Sequence, residues 1–178
     1  MIGEEGDYAQ SRKGCQGCNS AEGISSLSGD MKPDDPYDLD RFLSAQERVY
    51  ERALAELKSG EKRTHWMWFI FPQIEGLGHS PTARRYAIKS IEEARQFLNH
   101  SVLGKRLMEC TEALVALKGR SVSEVFGYPD DLKFKSSMTL FEKAAGSGSV
   151  FSLALDKYCH GERDAATLKL LEKGTFTE

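Results

Sequence analysis

The residues best suited to chemistry flank one aromatic segment, Thr64-His65-Trp66-Met67-Trp68-Phe69-Ile70-Phe71-Pro72-Gln73, which holds both tryptophans of the 178-residue chain. His65 precedes the aromatic run. Its imidazole can serve as a general base, contact a phosphate or carboxylate, or end as a hydrogen-bonded core histidine, the commoner fate of a lone one. Trp66 and Trp68 offer faces on which a base or sugar can stack, although aromatic residues this dense usually belong to a core. Gln73 closes the run with a donor and an acceptor. In a helix, Thr64, Trp68 and Phe71 would share one side and His65 would neighbour Phe69.

Two further groups could complete a site. Arg84-Arg85-Tyr86 follows a capped helix start, where guanidinium groups and exposed amides can hold an anion; a solvated face with snorkelling stems is the bland alternative. In Asp131–Phe141, Phe134, Met138 and Phe141 recur at helical spacing and Ser137 falls among them. A hydroxyl on an apolar face must find a partner. It bonds either the carbonyl of the preceding turn or a polar cluster in which Ser136, Ser137 and Lys133 or Lys135 face His65 and Gln73.

Familiar catalytic templates are missing: there is no P-loop, no G-x-S-x-G elbow, no H-E-x-x-H and no dinucleotide fingerprint. Four scattered histidines give no metal spacing, so neither a metal nor a cofactor is expected. Cys15-Gln-Gly-Cys18 is half a zinc site without a second pair, and Cys110 falls on an apolar helical face.

Composition narrows the partners. With 29% charged residues and a mean hydropathy of -0.46 the chain is not that of a membrane protein. The first thirty residues lack an apolar signal region, which makes the cytoplasm the expected compartment. Residues 1–37 carry three basic and seven acidic side chains, leaving 21 basic against 20 acidic for the remainder. So balanced a domain has no field for bulk nucleic-acid binding.

The elements that must position these groups are helical. Residues 1–36 have few large apolar groups and no period, and read as a disordered tail. The expected domain spans residues 37–174, with 175–178 as a short C-terminal tail. From Asp38, a suitable N-cap, Leu39, Phe42, Leu43, Val49, Tyr50, Ala53, Leu54 and Leu57 recur at three- and four-residue intervals until Gly60. Ser80-Pro81 opens a short helix through Ile88. Ser90-Ile91-Glu92-Glu93 and Ser121-Val122-Ser123-Glu124 are capping boxes. Further helices run from Ser101 to Gly119, from Asp130 or Asp131 towards Ala145, over Val150–Cys159, and over Ala165–Glu172 with Asp164 as cap. No alternating strand pattern occurs, and Trp66–Phe71 reads as a buried helical turn. The expected fold is all-α, a single-domain array of about seven short helices.

At these residues the chain resembles the family catalogued as domain of unknown function 1810, some members of which carry the label calpastatin. The matching words are Tyr50-Glu51-Arg52-Ala53-Leu54, His65 through Gln73, Ala83-Arg84-Arg85-Tyr86-Ala87, and Asp131-Leu132-Lys133 with Ser136 through Phe141. Together with Asp156-Lys157-Tyr158 and Asp164–Leu171 they cover residues 38 to about 172. The resemblance implies a small, stand-alone helical domain and supplies no activity.

Two functions compete. One is a small-molecule site for an anionic or nucleotide-like ligand, walled by Trp66, Trp68 and Phe71 and presenting Gln73, Arg84, Arg85, Lys133, Ser136 and Ser137, with His65 as the proton-transfer group if it is an enzyme. The other is a protein-interaction or regulatory module that uses the aromatic segment as a contact surface. Homo-oligomerisation stays open. Because the tail has no apolar face to dock, removing residues 1–35 is expected to leave the melting temperature unchanged within error. A fall of several degrees, or lost helical signal in circular dichroism, would contradict that boundary.

Overall fold

The computed structural model describes residues 35–174. The tail with Cys15 and Cys18 therefore lies outside the described residues, except for Asp35 and Pro36, as do residues 175–178. Ten helices follow in order among the described residues: α1 (Asp40–Gln46), α2 (Tyr50–Ser59), α3 (Met67–Ile70), α4 (Pro81–Arg85), α5 (Ile91–Asn99), α6 (Leu103–Ala116), α7 (Val122–Phe126), α8 (Asp130–Ala145), α9 (Val150–Cys159) and α10 (Ala165–Gly174). The all-α class agrees with the sequence reading, while the count exceeds the expected seven or so.

Part of the excess comes from the first helix, which is two. The chain turns over residues 47–49, so that α1 and α2 are separate. Asp38 is not the cap. It stands at a left-handed φ of 50°, and its backbone carbonyl accepts from the Arg41 amide at 3.2 Å. The cause is Arg41, whose guanidinium donates to the carbonyls of Tyr37 (2.5 Å), Asp38 (2.7 Å), Arg85 (3.0 Å) and Ala87 (2.9 Å) and to Glu93 Oε1 (2.5 Å). Five bonds exhaust its donors. They draw the entry of α1 onto the segment after α4.

That segment departs from expectation too. The helix opened by Ser80 and Pro81 ends at Arg85 rather than Ile88. Ile88 instead forms an isolated parallel bridge with Ile74, its amide donating to the Gln73 carbonyl and its carbonyl accepting from Glu75, both at 2.8 Å. The Ser90 box is half made: Ser90 accepts from the Glu93 amide, but the Glu93 carboxylate is spent on Arg41 and on the Lys89 amide at 2.9 Å. The Ser121–Glu124 box closes in both directions. Asp164 caps α10 by accepting from the Thr167 amide at 2.8 Å.

Helix α8 is the centre of the packing. It touches α5, α9, α10, α7 and α3, and every residue from Ser136 to Glu142 is buried. A helix enclosed on so many sides has no solvated stripe to oppose an apolar one. Phe134 meets Phe71, Phe126 and Tyr158, with ring centroids 5.5, 5.0 and 5.9 Å away. Phe141 meets Phe97 and Phe151 at 5.4 and 5.8 Å. Its buried carboxylate is answered from two later segments: Glu142 binds Arg163 through two guanidinium nitrogens and accepts from Ser152 at 2.8 Å.

The aromatic segment enters this core by way of one carboxylate. Glu56, 8% exposed near the end of α2, accepts from the amides of Arg63 (2.9 Å) and Thr64 (3.1 Å), the Thr64 hydroxyl (2.7 Å) and the Trp66 indole (2.8 Å). The donors hold the 63–66 backbone in place and satisfy the indole nitrogen in the interior, as a buried tryptophan requires. Trp66 is fully buried, whereas Trp68 is half-buried.

Unequal burial separates the two tryptophans in an unfolding experiment. Trp66→Ala is expected to cost roughly 3–5 kcal/mol in urea titrations, and Trp68→Ala less than about half of that. Equal losses would contradict the placement. Acid should act through the buried carboxylates. Burial opposes ionisation of Glu56, but the Arg63, Thr64 and Trp66 donors outweigh it and hold its carboxyl below the usual range; Arg163 does the same for Glu142. Both groups are easier to ionise folded than unfolded. Their stabilisation is thus complete above roughly pH 4.3, the unfolded value, and disappears as pH falls through the lower folded values. Glu56→Gln is expected to lower stability at neutral pH and to flatten this acid limb in urea midpoints measured from pH 7 to pH 3.

Candidate functional site

Gly60 ends α2 in the left-handed region, at φ 74°, and turns the chain beneath Leu117. Lys62 follows, its amide donating to the Val125 carbonyl at 2.7 Å, while Glu56 fixes the next residues. The Lys62 ammonium is thereby placed 5.2 Å from the Trp66 ring centroid and 2.7 Å from Asp130 Oδ2. One turn into α8, Lys133 reaches back to Asp130 Oδ1 at 2.6 Å and lies 4.8 Å from the centroid of the Trp68 ring. Two ammonium groups share one carboxylate against two indoles.

The electrostatics follow from that count. Burial pushes the Asp130 carboxyl up, but Lys133 and Lys62 overcome it and hold the group below the usual aspartate range. Asp130 is therefore ionised at neutral pH, and one of the two positive charges remains uncompensated. Lys62 is nearly buried, with 8% of its side chain exposed, and Lys133 keeps 22%. Lys133 is consequently the more exposed of the two ammonium groups, and it lies against the half-buried Trp68 ring.

The predicted site residues divide around this cluster. Trp68 and Lys133 meet directly. Trp66 is corrected from wall to core: it has no exposed surface, and its indole nitrogen is spent on Glu56. His65 is exposed on the same loop, with no hydrogen-bond partner for its ring among the described residues. Gln73 is half-buried and gives its backbone carbonyl to Ile88. Ser136 bonds the Leu132 carbonyl at 3.1 Å, the local solution open to any helical hydroxyl, whereas Ser137 is fully buried and its hydroxyl has no partner among the described residues.

Arg84 and Arg85 are exposed in the last turn of α4, not its first, so exposed helical amides cannot join them in holding an anion. Arg85 lies 5.6 Å from the Tyr86 ring, which packs on Phe69 at 5.4 Å. This is the Phe69 side of α3, while Lys133 stands on the Trp68 side. Lys62 and Asp130 were not among the predicted site residues. The spacing of Asp130 and Lys133 signals their pairing, but the contact with Lys62 crosses 68 positions and leaves no local mark.

The cysteines offer no competing chemistry among the described residues. Cys110 is buried, and burial pushes its thiol up to about 12; burial raises Cys159 as well. Thiolates are the reactive form. Neither group supplies one at neutral pH.

Comparison with known proteins agrees with the resemblance read from the sequence. A crystal structure of the conserved hypothetical protein Rv1873 from Mycobacterium tuberculosis superimposes with a TM-score of 0.76 at 52% identity, covering 78% of this chain and 99% of that one. Comparison with curated proteins gives no match. The family model described as a protein of unknown function (DUF1810) matches residues 36–171, and the chain belongs to that family.

Proposed function

We propose that the domain binds a small anionic ligand, of the nucleotide or sugar-phosphate kind, at the Trp68–Lys133 face. The observation that carries this reading is the sharing of Asp130 by Lys62 and Lys133 beside a half-buried indole. An uncompensated cation next to an aromatic face suits a ligand that joins an anionic group to a flat ring. His65, three residues before Trp68, supplies an imidazole to the ligand rather than a pre-oriented base, because nothing among the described residues holds its ring.

A contact-surface reading has its own support, though not from the tryptophans. Tyr128 is 84% exposed and Leu132 54%, and the two flank the start of α8. The aromatic segment itself is largely consumed by the core, which leaves little of it for a partner protein. The small-ligand reading therefore uses more of the unusual features.

Thermal-shift titration of the full chain with nucleotides, sugar phosphates and small carboxylates tests the proposal. At least one phosphate-bearing compound is expected to raise the melting temperature. Lys133→Met is expected to weaken its binding about tenfold, the loss of one charge-assisted contact, and Trp68→Leu and His65→Ala to weaken it further or change its selectivity. If nothing stabilises the parent, or Lys133→Met responds as the parent does, the reading fails.

A further inference from the structure

At the far end of α8 a second concavity opens. Its volume is about 650 Å³, and its walls come from α5 (Arg95, Leu98, Asn99), α6 (Met108, Glu112), the end of α8 (Ala144, Ala145) and the start of α9 (Ser149, Val150, Phe151). Small-molecule sites occupy roughly 300–1,000 Å³ and join apolar walls to a few polar groups. With a rise of about 1.5 Å per residue, Ala144 stands roughly 16 Å along the helix from Lys133. The two places are separate.

Most polar groups of this groove are unspent among the described residues. The Ser149 hydroxyl oxygen is buried and has no partner, one of only two such side-chain atoms among the described residues. Ser149 is also the N-cap of the ten-residue α9 and makes no capping bond, so no side chain satisfies the first-turn amides of that helix. On the α6 wall Glu112 is exposed and unpaired among the described residues, and the Asn99 amide on α5 is likewise unengaged. Arg95 is held only by Glu92 at 3.2 Å, with both side chains about half exposed. Such exposed pairs are worth little and yield readily to a ligand. Leu98, Val150, Phe151 and Met108, which is 42% exposed, supply the apolar surface between these groups.

We propose that this groove binds a zwitterion with an apolar side chain, namely a free amino acid such as leucine, methionine or phenylalanine. The wall carries partners for both charges of such a molecule. The donors on that wall, the Ser149 hydroxyl, the α9 first turn and Arg95, suit the carboxylate. The ammonium meets the Glu112 carboxylate. The side chain covers Leu98, Met108 and Phe151. A simple anion would leave Glu112 unanswered, and a simple amine would leave the Ser149 end so.

Isothermal titration of the full chain tests this. Leucine, methionine or phenylalanine is expected to bind, whereas 4-methylvalerate (lacking the amino group) and isoamylamine (lacking the carboxylate) do so at least about tenfold more weakly, one charged contact being worth that much, and glycine does so as weakly for want of an apolar side chain to bury. Met108→Lys is expected to abolish binding, and Glu112→Gln and Ser149→Ala each to weaken it about tenfold, again one polar contact. Circular dichroism monitors the fold of each variant; because all three positions lie on the groove wall, the two milder substitutions decide the matter should Met108→Lys unfold. Lys133→Met is expected to bind the amino acid as the parent does, which separates this site from the Trp68 face. The proposal is overturned if none of the three amino acids binds at millimolar concentration, if 4-methylvalerate binds as well as leucine, or if binding survives both Glu112→Gln and Ser149→Ala.

Discussion

The Glu56 carboxylate is the interaction on which the site depends. It lies inside the protein, where an unpaired charge costs several kcal/mol, and it is tolerated because four donors converge on it. Three of these come from consecutive backbone and side-chain groups of the loop that leads into α3. The fourth is the indole nitrogen of the largest core side chain. By satisfying its own charge, Glu56 sets the position of Trp66, and hence the register of everything after it. Trp68 then turns outward, and Lys62, just before the knot, turns towards Asp130. A site that looks like a surface feature is thus built from the interior.

Glu93 and Glu142 repeat the principle elsewhere. Each is a buried carboxylate on a helix that answers an arginine from a distant stretch: Arg41 for Glu93, Arg163 for Glu142. Lysine does the complementary work at the end of α6, where Lys157 donates to the carbonyls of Leu114, Val115 and Leu117 and closes that helix without a glycine cap. Short helices have a high ratio of unsatisfied ends to satisfied middles. In a fold of ten helices, several of four to seven residues, side chains from other elements must make up the difference.

That distribution explains what the sequence disclosed. Helices with their own caps were legible: Ser121 and Glu124, Ser80 and Pro81, Asp164, and the glycine stop at Gly60 are all local signals, and the structure uses each of them. Boundaries set by distant partners were not. Nothing near Asp38 or Ile88 announces that Arg41 will gather carbonyls from residues 37 to 87, and so the shifted start of the first helix and the early end of α4 were invisible. The candidate site divides in the same way. Trp68 and Lys133 stood out as unusual residues in unusual words, whereas Lys62 and Asp130 are ordinary residues made significant by a contact between remote segments. Trp66 and Trp68 look equivalent in a string of letters. Only the geometry of a half-turn of helix assigns one to the interior and the other to the rim.

Arg41 also imposes an order on assembly. Its bonds to Arg85, Ala87 and Glu93 span 44 to 52 residues of chain. Helices α7, α8 and α9, by contrast, are consecutive and pack on one another. Contacts between neighbours close small loops and form early, whereas a clasp over half a hundred residues repays its loop entropy only once both ends are already held. On this ground the α1 clasp is expected to open early, with α1 amides exchanging their hydrogens ahead of those in α8. The arginine that draws the fold together at its entrance is then also the latch at which opening is expected to begin.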